Sequence, residues 1–210
     1  MPNQNGKLYG LTILSPIIDD ESATPSHDLQ IRNYLATLPT DQRSPFALAP
    51  GTHLARLVVM DDVIYVGSPA HEEHLKSKYL ILESNCDGDL DTYLTGLATT
   101  VPHHLDAIWS HCVGYPGAAN PQAFVAYMKA CQLETTFFFA AVNDKSLPDT
   151  LRALQTQHAV ADFIANHQGV EPARLQSDFK QFLADLRACP TPKAGIMAPV
   201  RDIKTGGRNE

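Results

Sequence analysis

The sequence lacks the short motifs by which the commonest nucleotide, cofactor and hydrolase sites are recognised. It contains no G-x-G-x-x-G behind a predicted strand, no G-x-x-x-x-G-K-[ST], no G-x-S-x-G and no C-x-x-C-H. Assignment as a dinucleotide-binding, nucleoside-triphosphate-binding, serine-hydrolase or c-type haem protein therefore has no support from motifs.

Basic residues and long apolar runs are also scarce. Lys and Arg total 16 against 23 Asp and Glu, so the chain carries a formal net charge of -7, which repels a phosphate backbone. No apolar run approaches the roughly 18 residues of a membrane span, and the N-terminus MPNQNGKLYG does not read as a signal peptide. We therefore expect a soluble, cytoplasmic protein with neither nucleic acid nor membrane as a partner.

Cysteine is sparse and widely spaced. The four residues are Cys86, Cys112, Cys131 and Cys189. None forms a C-x-x-C pair, and three of the four lie in or beside apolar patterns. A free cysteine in such a setting usually acts as a small hydrophobe, so we expect reduced thiols rather than nucleophiles or metal ligands.

The 210 residues, of which 44% are apolar, are enough for one folded core. We predict a single domain over 1–189 and an irregular C-terminal tail over 190–210. Turn residues and periodicity predict four strands, at 8–14, 52–60, 78–84 and 134–142. They also predict six helices, one between Thr24 and Pro39 and the others at about 89–97, 102–112, 120–131, 146–168 and 171–188.

The order of these elements predicts an α+β fold. Strand-helix-strand-strand-helix-strand is the βαββαβ order of a ferredoxin-like antiparallel sheet, here decorated with extra helices. In the second predicted strand, apolar side chains point to both sides of the sheet. We therefore expect both faces of the sheet to be covered. The C-terminal helices, or a second copy of the chain, would cover the face that the crossover helices leave open.

Three segments strengthen this prediction: THLARLVVMDD, YLILESNCDGDLDTYL and LDAIWSHCVGYPG. Together they cover about residues 50–117, and they resemble bacterial proteins with a ferredoxin-like domain of the dimeric α+β barrel type. The resemblance implies that architecture and a homodimer. Some dimeric α+β barrel families bind haem or oxidise small aromatic compounds, which makes these activities candidates by analogy of fold alone.

The acidic segment SNCDGDLDTYL, residues 84–94, is one candidate site. An EF-hand loop starting at Asp87 would need Gly at its sixth position and Glu at its twelfth, where the chain has Thr92 and Ala98. We therefore expect Asp87 or Asp89 to cap the following helix. A looser alternative is that carboxylates and amides line a pocket at the end of the strand, with Glu83, Asn85, Asp87 and Asp91 as its candidates.

The histidines give weaker signals. His104 and His111 are seven residues apart on one helix, about 10 Å along its axis, so they cannot chelate one ion together. Each could serve singly as a haem ligand or acid/base group, or lie at the core boundary beside Trp109. The run of His71, two glutamates and His74 is flanked by lysines and is expected to be a solvated charged segment.

His53 and Arg56 lie on the second strand, on opposite faces. One of them should therefore point towards an apolar surface and need a partner there, and Glu83 on the neighbouring strand is a plausible counter-charge. A structural ion pair or an edge position is the alternative.

The leading hypothesis is a protein that binds a small apolar or aromatic molecule, with haem as a possible cofactor, in a cleft between sheet and helices. The competing hypothesis is a non-catalytic module for oligomerisation or partner binding. No metal site is predicted. The candidate catalytic residues are His53, Arg56, His104 and His111, and the candidate ligand-binding residues are Glu83, Asn85, Asp87 and Trp109.

Overall fold

A computed structural model describes residues 3–63, 67–68 and 74–195. Five strands occur in this part of the chain: β1 (Gln4–Asn5), β2 (Leu8–Pro16), β3 (Thr52–Met60), β4 (Tyr79–Asp87) and β5 (Gln132–Leu133). So do seven helices: α1 (His27–Thr37), α2 (Pro45–Leu48), α3 (Leu90–Thr100), α4 (Pro102–Trp109), α5 (Pro121–Ala130), α6 (Leu147–Asn166) and α7 (Pro172–Ala188). Within these ranges, no helix is long and apolar enough to cross a membrane.

The strands form one open antiparallel sheet, which confirms the α+β class. Its main path runs β1-β2-β4-β3, and β5 also pairs with β2. Because β4 pairs with β2 along the whole strand, β1 and β5 share the opposite edge of β2. The ferredoxin-like order is not confirmed by this path.

The core lies between the inner face of the sheet and the helices. Alternate residues of β2 and β4 point inwards, and they are paired across the strands as Leu11 with Ser84 and Ile13 with Leu82. Helices α4 and α5 both pack against α3, and the three helices close this side. The largest fully buried side chains include Trp109, Phe124, Ile31, Leu94 and Ile108.

The outer face of the sheet is covered at one end only, so the expectation that both faces are covered is wrong for β3. Leu54 and Val58 are 53% and 43% exposed. At the opposite edge the ring of Phe138 lies against Gly10, where a Cβ atom would approach it to 2.9 Å. Neither α6 nor α7 contributes a buried residue, so these helices do not complete the missing layer.

The predicted strand at 134–142 is the clearest error of the sequence analysis. Of this region only β5, just before the predicted strand, pairs with β2, and residues 134–146 are irregular. The reason is that β1, which the sequence did not predict, already occupies the next stretch of that edge. The side chains of Asn3 and Asn5 instead bond to Thr135 and to the Phe138 carbonyl. Strong β propensity was overridden by competition for one sheet edge.

Other boundaries shift by a few residues. The first helix begins at His27 rather than after Thr24, and the short helix α2 was not predicted. The third predicted strand continues to Asp87, so the first four residues of the acidic segment belong to the sheet and its last five to α3. The predicted helix to residue 112 ends at Trp109. Residues 71–73 lie outside the described residues, whereas His74 contacts Asp62 with Nδ1 2.7 Å from Oδ2.

Helices α6 and α7 form a hairpin beside the sheet domain. They contact each other through an aromatic cluster in which Phe163 stacks on His167 and lies near Phe179 and Phe182. After α7 the irregular chain returns, and Gly195 lies directly against the backbone of Asp41. At the start of α6, the backbone N–H of Leu147 donates to Asp87, so the hairpin is held to the domain both where it begins and beyond its end.

Candidate functional site

A β-bulge places His53 at the free edge of the sheet. Thr52 pairs with Cys86 and Leu54 pairs with Asn85, so His53 is an extra residue with no partner of its own on β4. Bulges re-aim side chains and are common beside functional sites. Here the bulge turns His53 out of the strict alternation of β3.

The carboxylate of Asp87 fixes the His53 ring. Nε2 of His53 lies 2.7 Å from Oδ1 of Asp87, and the two side chains are 17% and 22% exposed. The other oxygen, Oδ2, accepts the backbone N–H of Leu147 at 2.8 Å. Gly51 lies beside this pair with a positive φ of 73°, and a Cβ there would meet the Asp87 Cβ at 3.0 Å. A carboxylate is only an acceptor, so the neutral ring carries its proton on Nε2, and Nδ1 is an acceptor that has no partner among the described residues.

His53 lies on the wall of a cleft of about 420 Å³ along the edge of β3, within the size range of small-molecule sites. Apolar side chains of α1, α2 and β3 form most of the wall: Leu35, Leu38, Pro39, Phe46, Leu54 and Leu57. Its polar residues are Thr40, Asp41, Ser44, Thr52 and His53. Asp41 is paired with Arg43, which holds the pKa of that carboxyl below its usual range.

Arg56 and Glu83 lie outside this cleft. They face each other across β3 and β4 and form an ion pair. Both side chains are exposed on the outer face of the sheet. Asn85 is half-buried and lies on the same face, because it alternates with the buried Ser84. Glu83 is thus the counter-charge of Arg56, as the sequence predicts, but the pair lies at the surface and not inside an apolar layer.

His104 belongs to a separate contact between α4 and α1. Its Nδ1 lies 2.7 Å from the hydroxyl of Tyr34. Burial, together with the neighbouring His103, lowers the pKa of His104. At neutral pH the ring is therefore uncharged and serves as a hydrogen-bonding group between two helices.

His111 pairs with His27, a residue that the sequence analysis did not single out. The two Nδ1 atoms are 2.9 Å apart, and burial, followed by the charge of His27, lowers the pKa of His111. His27 also lines a second, more polar cavity of about 350 Å³ at the start of α1. Trp109 takes no part in either cavity: it is fully buried, and its Nε1 donates to Ser15 Oγ at 3.3 Å.

The acidic segment serves three purposes. Asp89 caps α3, because its Oδ2 accepts the Thr92 N–H at 2.9 Å and this bond lowers the pKa of Asp89. Asp91 pairs with Lys129 at the surface, and Asp87 holds His53. Within the described ranges, no three His, Cys, Asp or Glu side chains are arranged to hold a metal ion.

The eight candidate residues are therefore not gathered in one place. Only His53 lines the cleft, with Asp87 bonded to it, whereas the others lie on the outer face, between α1 and α4, or in the core. The bulge, His27 and the wall residue Phe46 have no signal in the sequence, because each depends on the register or packing of distant segments. Comparison with protein-family models, curated proteins and solved structures finds no match to this chain.

Proposed function

We propose that this protein binds a small aromatic or apolar molecule that carries one hydrogen-bond donor, in the cleft beside His53. The observation that carries the proposal is the His53–Asp87 pair on an otherwise mainly apolar wall. An apolar wall takes up the ring by excluding water, and a single fixed polar group then sets its orientation.

The tautomer of His53 decides whether the ligand must donate or accept the hydrogen bond. Because Asp87 accepts the Nε2 proton, the free Nδ1 offers a lone pair to a hydroxyl or N–H group. A phenol or an arylamine suits this arrangement, and an aryl ether does not. The same nitrogen is the proton acceptor that a catalytic reaction would use, so His53 is the candidate acid/base residue.

Haem fits this cleft poorly. Its two carboxylates call for arginine or lysine partners, and the described lining of the cleft includes neither. The Nε2 atom of His53 is also taken by Asp87. We therefore assign no haem to this site.

The experiment compares phenol with anisole by ligand-observed NMR and by thermal shift. We expect phenol to bind and to raise the melting temperature, because a ligand that binds only the folded state stabilises it by mass action. Anisole should bind at least about tenfold more weakly, since one unmade hydrogen bond costs on the order of 1.4 kcal/mol.

Two variants control the comparison. His53→Ala should remove the preference for phenol, whereas His158→Ala, at an exposed position of α6, should leave it unchanged. Equal binding of phenol and anisole to the unaltered protein, or an unchanged preference in His53→Ala, would contradict the proposal.

The second candidate function is that of an oligomerisation module. It is favoured by the uncovered apolar residues of the outer sheet face, such as Leu54 and Val58, and by the exposed hairpin. We also propose a ferredoxin-like arrangement of the sheet, since β4 separates β2 from β3 and β5 pairs with the other edge of β2. The described cysteines are all free, which suits a reducing, cytoplasmic setting.

A further inference from the structure

The chain that follows α7 returns to the cleft beside His53. The carbonyl of Cys189 accepts a hydrogen bond from Arg152 of α6, and a few residues later Ala194 and Gly195 line the cleft. Gly195 is also the last residue that the structure describes. The described chain therefore ends at the cleft, and the residues that come next start from its wall.

Gly195 holds the chain at this point through a backbone contact. Its φ of 75° lies in the left-handed region that favours glycine. A Cβ atom at this position would approach the carbonyl carbon and oxygen of Asp41 to 2.7 Å. Only glycine can therefore come so close to the loop before α2, and the contact anchors the chain beside the cleft.

The five residues after this anchor carry no charge, and three of them have large apolar side chains. These five are Ile196, Met197, Ala198, Pro199 and Val200. The ten residues that follow include five charged ones: Arg201, Asp202, Lys204, Arg208 and Glu210. The apolar side chains of this part of the sequence are thus concentrated directly after Gly195.

The cleft offers such a segment an apolar wall and a strand edge. The wall side chains of Leu35, Phe46 and Leu57 are half-buried, and Leu54 is 53% exposed. Strand β3 is the last strand of the main sheet path, so its outer edge has no strand beside it among the described residues. An extended segment can pair with an edge of this kind and place alternate side chains in an adjoining cavity.

We propose that residues 196–200 bind in this cleft of their own chain, with Ile196 and Met197 against its apolar wall. Five residues extend to about 17 Å, whereas a cavity of about 420 Å³ is on the order of 10 Å across, so the segment can span it. Attachment at Gly195 keeps the segment at a high effective concentration, and weak apolar contacts then suffice. Charge does not oppose it, because the one carboxylate of the described lining, Asp41, is already paired with Arg43.

The segment and a small ligand compete for the same space. A ligand binds only those molecules whose cleft is empty, so its apparent affinity falls in proportion to their fraction. Residues 196–200 thus act as an internal inhibitor of the cleft. This consequence rests on the proposed function, whereas the binding of the segment does not.

NMR of the methionine methyl groups tests the position of the segment. The chain has four methionines, so labelling with ¹³C-methyl methionine gives four signals, and Met197→Leu identifies that of Met197. We expect an NOE from this methyl group to the ring of Phe46 in the unaltered protein. It should be lost in Gly195→Ala, because the added Cβ collides with Asp41 and removes the anchor.

Gly169→Ala is the matched control. Gly169 also has a φ of 75°, but a Cβ there would meet nothing within 4 Å. The substitution introduces the same backbone strain without a collision, so the NOE should persist. An NOE that is absent from the unaltered protein, or that survives in Gly195→Ala, would overturn the proposal. An NOE found only between differently labelled copies in a mixed sample would place the segment in a second copy and overturn it as well.

Ligand affinity tests the competition. Met197→Asp should strengthen the binding of phenol by at least about twofold, because the altered segment no longer fills the apolar cleft. Ile203→Asp, beyond the uncharged stretch, should leave the affinity unchanged. Equal affinities in Met197→Asp and the unaltered protein would refute the competition. If phenol binds to none of these proteins, the proposed function fails, and the NOE to Phe46 still decides where the segment lies.

Discussion

His53 and Asp87 form a hydrogen-bonded pair, with Nε2 of His53 2.7 Å from Oδ1 of Asp87. The same carboxylate accepts the first backbone N–H of α6 from Leu147. One side chain therefore connects the β-bulge, the end of β4 and the base of the hairpin. Any change at Asp87 should be felt both in the stability of the fold and in the orientation of the His53 ring.

Removal of the Asp87 carboxylate should destabilise the protein. Asp87→Ala leaves the Leu147 N–H and the His53 ring without their partner in a poorly solvated place, and we expect a loss of about 1–3 kcal/mol in the free energy of unfolding. Asp91→Asn is the control: its carboxylate is exposed and pairs with Lys129, so about 1 kcal/mol or less should be lost. Urea unfolding measures both, and equal losses would refute a bridging role for Asp87.

Asp87→Asn should alter the chemistry of the cleft rather than its stability. The asparagine oxygen can accept from Leu147, and its NH₂ group then faces His53 and donates to Nε2. The ring would take the other tautomer, so that Nδ1 becomes a donor. We expect the preference for phenol over anisole to be lost, and the ¹⁵N shifts of the imidazole to exchange. An unchanged tautomer would show that Asp87 does not set it.

The sequence predicts this site only in part. The sequence marks both residues as candidates, His53 on the second strand and Asp87 in the acidic segment, but it does not pair them. Their meeting depends on the bulge, a one-residue irregularity in register that leaves no pattern in either strand. Arg56 and Glu83 could be paired from the sequence because they lie in regular, facing positions.

The error at 134–142 has a related cause. The segment ETTFFFAAV has strong β propensity, but the edge of β2 that it would occupy is shared by β1 and β5. The two-residue strand β1 is too short to be predicted from alternation. Local sequence thus identifies the segments able to form strands, while competition for the available edge decides which of them pair.

Tyr93 should make stability sensitive to alkaline pH. Its hydroxyl lies 2.9 Å from Ser84 Oγ and 3.3 Å from Thr52 Oγ1, and burial raises the pKa of Tyr93 to about 12. The folded state therefore holds this proton more tightly than the unfolded state, whose tyrosines titrate near pH 10. The contribution is fully present below about pH 10 and is lost as the pH rises towards 12.

The variant Tyr93→Phe tests this. It should cost about 1–2 kcal/mol at pH 7, because Ser84 and Thr52 lose a buried partner. The difference between the two proteins should shrink as the pH is raised above about 10, since only the original protein can ionise at this position. Urea unfolding at several pH values measures the difference, and a constant gap would contradict the assignment.

The Arg56–Glu83 pair should contribute little to either stability or binding. Both side chains are exposed, and pairs of this kind are worth about 0–1 kcal/mol and weaken with salt. Glu83→Gln should therefore lower the free energy of unfolding by less than about 1 kcal/mol. It should also leave the preference for phenol unchanged. Loss of that preference would show that Arg56 and Glu83 take part in ligand binding.

The cysteines should divide into two classes when an aromatic disulfide reagent is added. Cys86 and Cys112 are buried, and burial raises the pKa of each thiol to about 12, so neither forms the reactive thiolate near neutral pH. Cys131 and Cys189 are only half-buried. We expect at most these two to react in the folded protein and all four to react in urea, where Cys189→Ser should lower the count to three. Rapid reaction of all four thiols under native conditions would contradict this prediction. It would show that the core around β4 and α4 unfolds locally, because a buried thiol is accessible to the reagent only in such a state.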